Sequence, residues 1–163
     1  MRRQLLVALL SPLLMAAACQ RGPEPVPPGE AEAFLAQNKT QPGVRTTSSG
    51  LQYKVVRAGP VTGARPRPGD TVKVHYEGKL PSGEVFDSSY QQGTPAVFTV
   101  GELVPGWNEA LQLMRPGDEL QLWVPPELGY GAEGIGPIPG NSVLVFRMEL
   151  LGVLPQGGSV GQG

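Results

Sequence analysis

The chain has 163 residues, room for one ordinary domain and some extra. Its 13 Lys and Arg stand against 14 Asp and Glu, which excludes the basic surplus a nucleic-acid reader carries. With 23 Gly and 18 Pro, it favours short strands joined by turns over long helices.

Residues 1–18 read as a leader rather than as part of a fold. Arg2 and Arg3 precede the short apolar run "LLVALLSPLLM", and "AAAC" follows. The run is too short for a comfortable membrane span. Cys19 falls at the small-residue cleavage position, and with no second cysteine no internal disulfide can form. The arrangement resembles a bacterial lipoprotein signal, in which Cys19 would carry the lipid; ordinary secretion with an incidental Cys19 is the alternative. "QRGPEPVPPGE" (20–30) reads as an extended Pro-rich tether. "AEAFLAQNK" (31–39) could make two helical turns with Ala31, Phe34 and Leu35 on one side, too few to be stable alone. Residues 40–50 are again loop chemistry.

A period of two then recurs. In "LQYKV", Leu51, Tyr53 and Val55 alternate with Gln52 and Lys54. In "TVKVHYEG", Val72, Val74 and Tyr76 share one face, and Lys73, His75 and Glu77 the other. "ELQLWVP" turns Leu120, Leu122 and Val124 inward and Glu119, Gln121 and Trp123 outward. "VLVFRMELLGV" sets Leu144, Phe146, Met148 and Leu150 on one face. "EVFDS" and "AVFTV" are shorter candidates. One segment has a helical period: Trp107, Ala110, Leu111 and Met114 in "PGWNEALQLMRPGD", entered at Pro105 and ended by Pro116-Gly117. The expected fold is α+β, a curved antiparallel sheet of five to six strands wrapped around one short amphipathic helix. The folded unit spans 44–153, after a tether with a short helix (19–43) and before a flexible tail (154–163). No internal repeat is present.

Most enzyme motifs are missing. The single histidine, His75, reads as an exposed strand residue, so histidine triads and the usual zinc sites lose their main component. "GAEGIGPIPG" lacks phosphate-loop spacing, and Pro137 and Pro139 remove amides, so it reads as a shaped loop. "LPSG" (80–83) suits a type I turn closing a hairpin. If Leu80 opposes Gly83, Tyr76 faces Asp87 with Cβ atoms about 5 Å apart, within reach of a hydrogen bond. Alternation puts Phe86 on the opposite face from Asp87 unless the strand ends or bulges there. Asp87 alone could be a base, a metal ligand or a turn cap.

"VKVHYEGKLPSGEVFDSSY", "LVPGWNEALQLMRPGDE", "YGAEG" and "NSVLVFRMELL", in that order, resemble the FKBP-type peptidyl-prolyl isomerases over about 44–153. "SGLQYKVV" before them resembles the secreted bacterial branch, the macrophage infectivity potentiator type. The resemblance implies isomerisation of X–Pro bonds without cofactor or metal. It implies catalytic roles for Tyr76, Asp87, Tyr130 and Phe146, with Asp87 paired to Tyr76 and Tyr130 offering its hydroxyl to the substrate carbonyl. Phe86, Leu103, Val104, Trp107 and Ile138 would bind substrate, Trp107 as the floor and Ile138 in a flap. Ala96 stands where some members carry a pocket phenylalanine, and Gln92 where some carry an arginine. Both bear on substrate preference and drug affinity. The implied partners are proline-containing unfolded or exported polypeptides and macrolide inhibitors, not nucleic acid. A client-binding chaperone using the same groove with little turnover is the second reading. The expected setting is the periplasmic side, held by a lipid anchor alone, with Gln20 after the cysteine resembling lipoproteins of the outer membrane. With only 31–39 available as an N-terminal helix, a monomer is expected.

Overall fold

The computed structural model describes residues 22–156; the leader, Cys19 and residues 157–163 lie outside them. Helix α1 (Glu30–Asn38) comes first, then strands β1 (Arg45–Thr46), β2 (Gln52–Arg57), β3 (Thr71–Lys79) and β4 (Val85–Ser88). A single turn α2 (Ser89–Gln92) leads to β5 (Ala96–Thr99), helix α3 (Pro105–Leu113), β6 (Glu119–Val124) and β7 (Leu144–Leu154). Every pairing is antiparallel. The order is β1-β2-β6-β7-β3-β4, and β5 pairs with the first half of β3, on residues 71–74, while β4 takes its second half.

The two periods in the sequence explain this arrangement. Val72, Val74 and Tyr76 from β3, Leu120, Leu122 and Val124 from β6, and Leu144, Phe146, Met148 and Leu150 from β7 are all buried. They form one core with Trp107, Ala110 and Leu111, the stripe of α3, and with Met114 just past its end. A sheet face and a helix stripe thus bury each other, the minimum that an amphipathic pair requires.

Several expectations need correction. The sheet has seven strands rather than five to six, because the two-residue β1 is too short to alternate visibly. Within 44–153 the single turn α2 joins α3, while α1 forms where the short helix of 31–39 is expected. Val55 is 43% exposed, beside a bulge at Val56 where the β2–β6 register shifts. Gln52 and Glu119, expected on the wet face, are buried. Gln52 lies under α1: its Nε2 donates to Leu35 O (2.8 Å), and Asn38 Nδ2 donates to its Oε1 (2.8 Å). A helix too short to stand alone is therefore held by polar bonds to β2. Glu119 is held by Arg147 Nε at 2.5 Å and by Arg57 at 3.6 Å. Two cations beside it offset the cost of burying a carboxylate. Among the described residues, no helix is long and apolar enough to cross a membrane.

Candidate active site

The site begins at the β3–β4 hairpin. Gly83 N donates to Leu80 O (2.9 Å), so the turn forms as the sequence predicts. Gly83, however, has φ 94°, and Leu80 N donates to Glu84 O (2.9 Å). The left-handed glycine makes the loop three residues long and moves the register on by one. A bulge at Phe86 moves it again: Lys79 pairs with Val85, but Gly78 pairs with Asp87. Tyr76 is therefore not opposite Asp87, contrary to the expected register, but diagonal to it on the same face. The contact survives, with Tyr76 Oη donating to Asp87 Oδ2 at 2.5 Å. The bulge also turns Phe86 and Asp87 into one cavity.

That cavity has a volume of about 350 Å³ and is lined by Tyr76, Phe86, Asp87, Phe98, Leu103, Val104, Trp107, Tyr130, residues 135–138 and Phe146. All nine site residues named from the sequence lie on it. Four of the ring pairs stand nearly perpendicular, while Tyr76 and Phe98 are tilted (6.1 Å, 54°). Trp107 meets Tyr76 (4.9 Å, 82°), Phe98 (5.5 Å, 87°) and Phe146 (5.2 Å, 84°), and Phe146 meets Phe86 (5.7 Å, 87°). These are the edge-to-face contacts that the ring quadrupole favours. Trp107 Nε1 is the one buried side-chain polar atom among the described residues without a hydrogen-bond partner.

The polar groups sit at the edge of this apolar cavity. Asp87 is exposed at the rim, where it also accepts from Gln92 Nε2 (3.1 Å). Tyr130 lines the cavity and is exposed as well, at 38%. Burial, and then the bond to Asp87, push the Tyr76 hydroxyl well above the usual phenol range. A raised pKa keeps this hydroxyl protonated as pH rises, so Tyr76 remains a donor through the neutral and mildly alkaline range.

Residues that the sequence reading passed over hold the site in place. Ser88 caps α2 by accepting from Gln91 N (3.3 Å). Ser89 is fully buried behind β3, accepts from Tyr76 N (2.8 Å) and lies 2.9 Å from His75 Nδ1. His75 is accordingly half-buried and stacked on Tyr90 (4.6 Å, 13°), not an exposed strand residue. Asn108 fixes the loop that carries Leu103 and Val104: its Oδ1 accepts from Gly101 N (2.7 Å), and its Nδ2 donates to Leu103 O (2.7 Å). Phe98 lies two positions from Ala96 on β5, and the alternation of "AVFTV" could have flagged it. Gly78 lies beneath the rings, and a Cβ there would come within 2.6 Å of both Phe86 and Phe146. The shaped loop carries Ile135, Gly136, Pro137 and Ile138 onto the cavity, braced by mutual bonds between Ile135 and Ile138 (3.0 and 2.8 Å). Among the described residues, no three His, Cys, Asp or Glu side chains stand together as a metal site.

The family model for FKBP-type peptidyl-prolyl cis-trans isomerase matches residues 63–151, and that for the domain amino terminal to it matches 28–55. The chain is 48% identical over 124 residues to the FKBP-type peptidyl-prolyl cis-trans isomerase FkpA of Aeromonas hydrophila, covering 76% of this chain and 46% of that protein. It is 47% identical over 125 residues to the outer membrane protein MIP of Legionella longbeachae, covering 76% of this chain and 53% of that one. The crystal structure of FkpA from Escherichia coli superposes with a TM-score of 0.73 at 43% identity, covering 77% of this chain and 58% of that one. The chain spans about half the length of the curated relatives it matches.

Proposed function

This chain belongs to the FKBP-type peptidyl-prolyl cis-trans isomerases, and we propose from that premise that it isomerises X–Pro bonds of exported polypeptides. The observation that carries the reading is an aromatic, largely apolar cavity of about 350 Å³ with Asp87 and Tyr130 at its rim. Rotating an X–Pro bond must overcome amide resonance, about 18–20 kcal/mol, and takes tens of seconds or more unaided. In the twisted transition state the nitrogen lone pair leaves conjugation and the carbonyl dipole shrinks. Water favours the polar planar amide, whereas an apolar cavity favours the less polar twisted one. A thousandfold acceleration asks for only about 4 kcal/mol of such differential binding. In this reading Phe86, Leu103, Val104, Trp107, Ile138 and Phe146 seat the proline ring. Tyr130 donates to the substrate carbonyl, and Asp87 holds Tyr76. We further propose that Cys19 carries a lipid, that the protein works as an outer-membrane-anchored monomer on the periplasmic side, and that macrolides compete for the cavity.

A protease-coupled assay on a short X–Pro peptide tests the activity. Acceleration by the full chain, suppressed by a macrolide of the family, is expected. Suppression of client aggregation without any acceleration would favour the chaperone reading. Asp87→Ala removes the acceptor of the Tyr76 hydroxyl, and losing one bond to a charged group costs kcat/KM about tenfold. Because Asp87 is exposed, the melting temperature should barely move, and unchanged kcat/KM would remove Asp87 from the machinery. No step moves a proton, so kcat/KM should vary less than about twofold between about pH 6 and about pH 9. A bell-shaped profile inside that window would contradict the mechanism.

A further inference from the structure

The Pro-rich stretch is joined to the flap. Within residues 22–29 every side chain is exposed except that of Val26, which is half-buried. Pro25, Pro27 and Pro28 have no amide hydrogen, so Val26 supplies the one N–H of the run Pro25–Pro28. That N–H donates to Gly140 O (2.9 Å). Asn141 Nδ2 returns a bond to Val26 O (3.5 Å). Gly140 and Asn141 close the loop over the cavity, since Asn141 N donates to Gly131 O across the loop's base (2.8 Å). Asn141 is also the one non-glycine residue among those described with positive φ, 61°. The Val26 side chain lines a second groove, about 320 Å³, together with Phe34 of α1, Leu80, and Pro139 and Val143 of the loop.

We infer that residues 25–28 form a strut that sets the position of the flap, with Val26 and Asn141 as positioning residues for X–Pro binding; this rests on the isomerase reading. Residues before proline are confined to extended backbone, so the run is stiff before it docks and loses little entropy on docking. Its two ends bear on different bodies. α1 fixes one end to β2 through Gln52, and the Gly140 bond fixes the strut to the segment that carries Ile138 into the cavity. A loop braced in this way presents Ile135 and Ile138 to substrate in one pose. A loop released from the strut would sample others, weakening binding while leaving the twisting step unchanged for substrate that does bind.

The test is Val26→Pro in the full chain, which deletes the N–H at a position whose neighbour already holds it extended. Losing one hydrogen bond, about 1 kcal/mol, should raise KM about fivefold with kcat within about twofold. Hydrogen exchange at the amides of Gly134, Ile135, Ile138 and Asn141 should quicken by about the same factor. Val26→Ala keeps the N–H and should restore both values. Unchanged exchange in Val26→Pro overturns the strut, and faster exchange with unchanged KM overturns its role in substrate binding. Equal impairment in Val26→Ala would assign the effect to the side chain and overturn the hydrogen bond as its agent. If the unmodified chain shows no turnover, the isomerase reading and with it the binding role fail, while exchange still decides whether the strut exists.

Discussion

Phe146→Ala should lower kcat/KM on an X–Pro peptide by about a hundredfold and stability by about 3–5 kcal/mol. Phe146 is almost wholly buried near the start of β7, with its ring against both Trp107 and Phe86. Truncation leaves a void beside the floor of the cavity and removes an apolar wall that favours the twisted amide. The stability loss is a large fraction of the roughly 5–15 kcal/mol a domain possesses. Phe146→Leu separates the two effects, because it keeps most of the volume and the apolar character. Denaturant unfolding should place Phe146→Leu close to the parent chain, while kcat/KM remains reduced by about tenfold. Parental kcat/KM in both variants would remove Phe146 from the site.

Gly78→Ala comes second and is the less intuitive change, since it adds a single methyl to a strand. Its Cβ would fall within 2.6 Å of the Phe86 and Phe146 rings. Neither ring can withdraw freely, because Phe146 is held against Trp107 and Phe86 occupies a bulge. Overpacking of this kind costs about 1–3 kcal/mol. Displacing two walls at once should reduce kcat/KM about thirtyfold. Macrolide titration gives the cleaner readout, since a shifted wall weakens binding even where the peptide assay is insensitive. Unchanged affinity and turnover would mean that the rings move aside at no cost.

Much of this molecule was legible in its sequence because the buried faces alternate cleanly. β3, β6, β7 and the stripe of α3 follow from periods of two and 3.6, and the cavity residues followed from a family resemblance carried over one by one. What escaped was whatever a period cannot encode. The hairpin register depended on the left-handed Gly83 and on the bulge at Phe86, and each slips the pairing by one without disturbing the local pattern. Two slips restored the face of Asp87, which is why the Tyr76–Asp87 contact was anticipated while the pairing behind it was not. Gln52 and Glu119 look like solvent-facing residues until α1 covers one and two arginines hold the other. Ser89 and Gly78 have roles that exist only in three dimensions: a hydroxyl behind Tyr76, and an absent side chain beneath two rings.

The bond between Val26 and Gly140 also fixes a length. With a lipid on Cys19, as proposed, the chain from the anchor to this point of attachment could extend at most about 25 Å. The domain would then ride close to the bilayer, able to swivel but not to roam. It would meet polypeptides as they reach or leave the membrane surface, rather than sampling the full depth of the compartment.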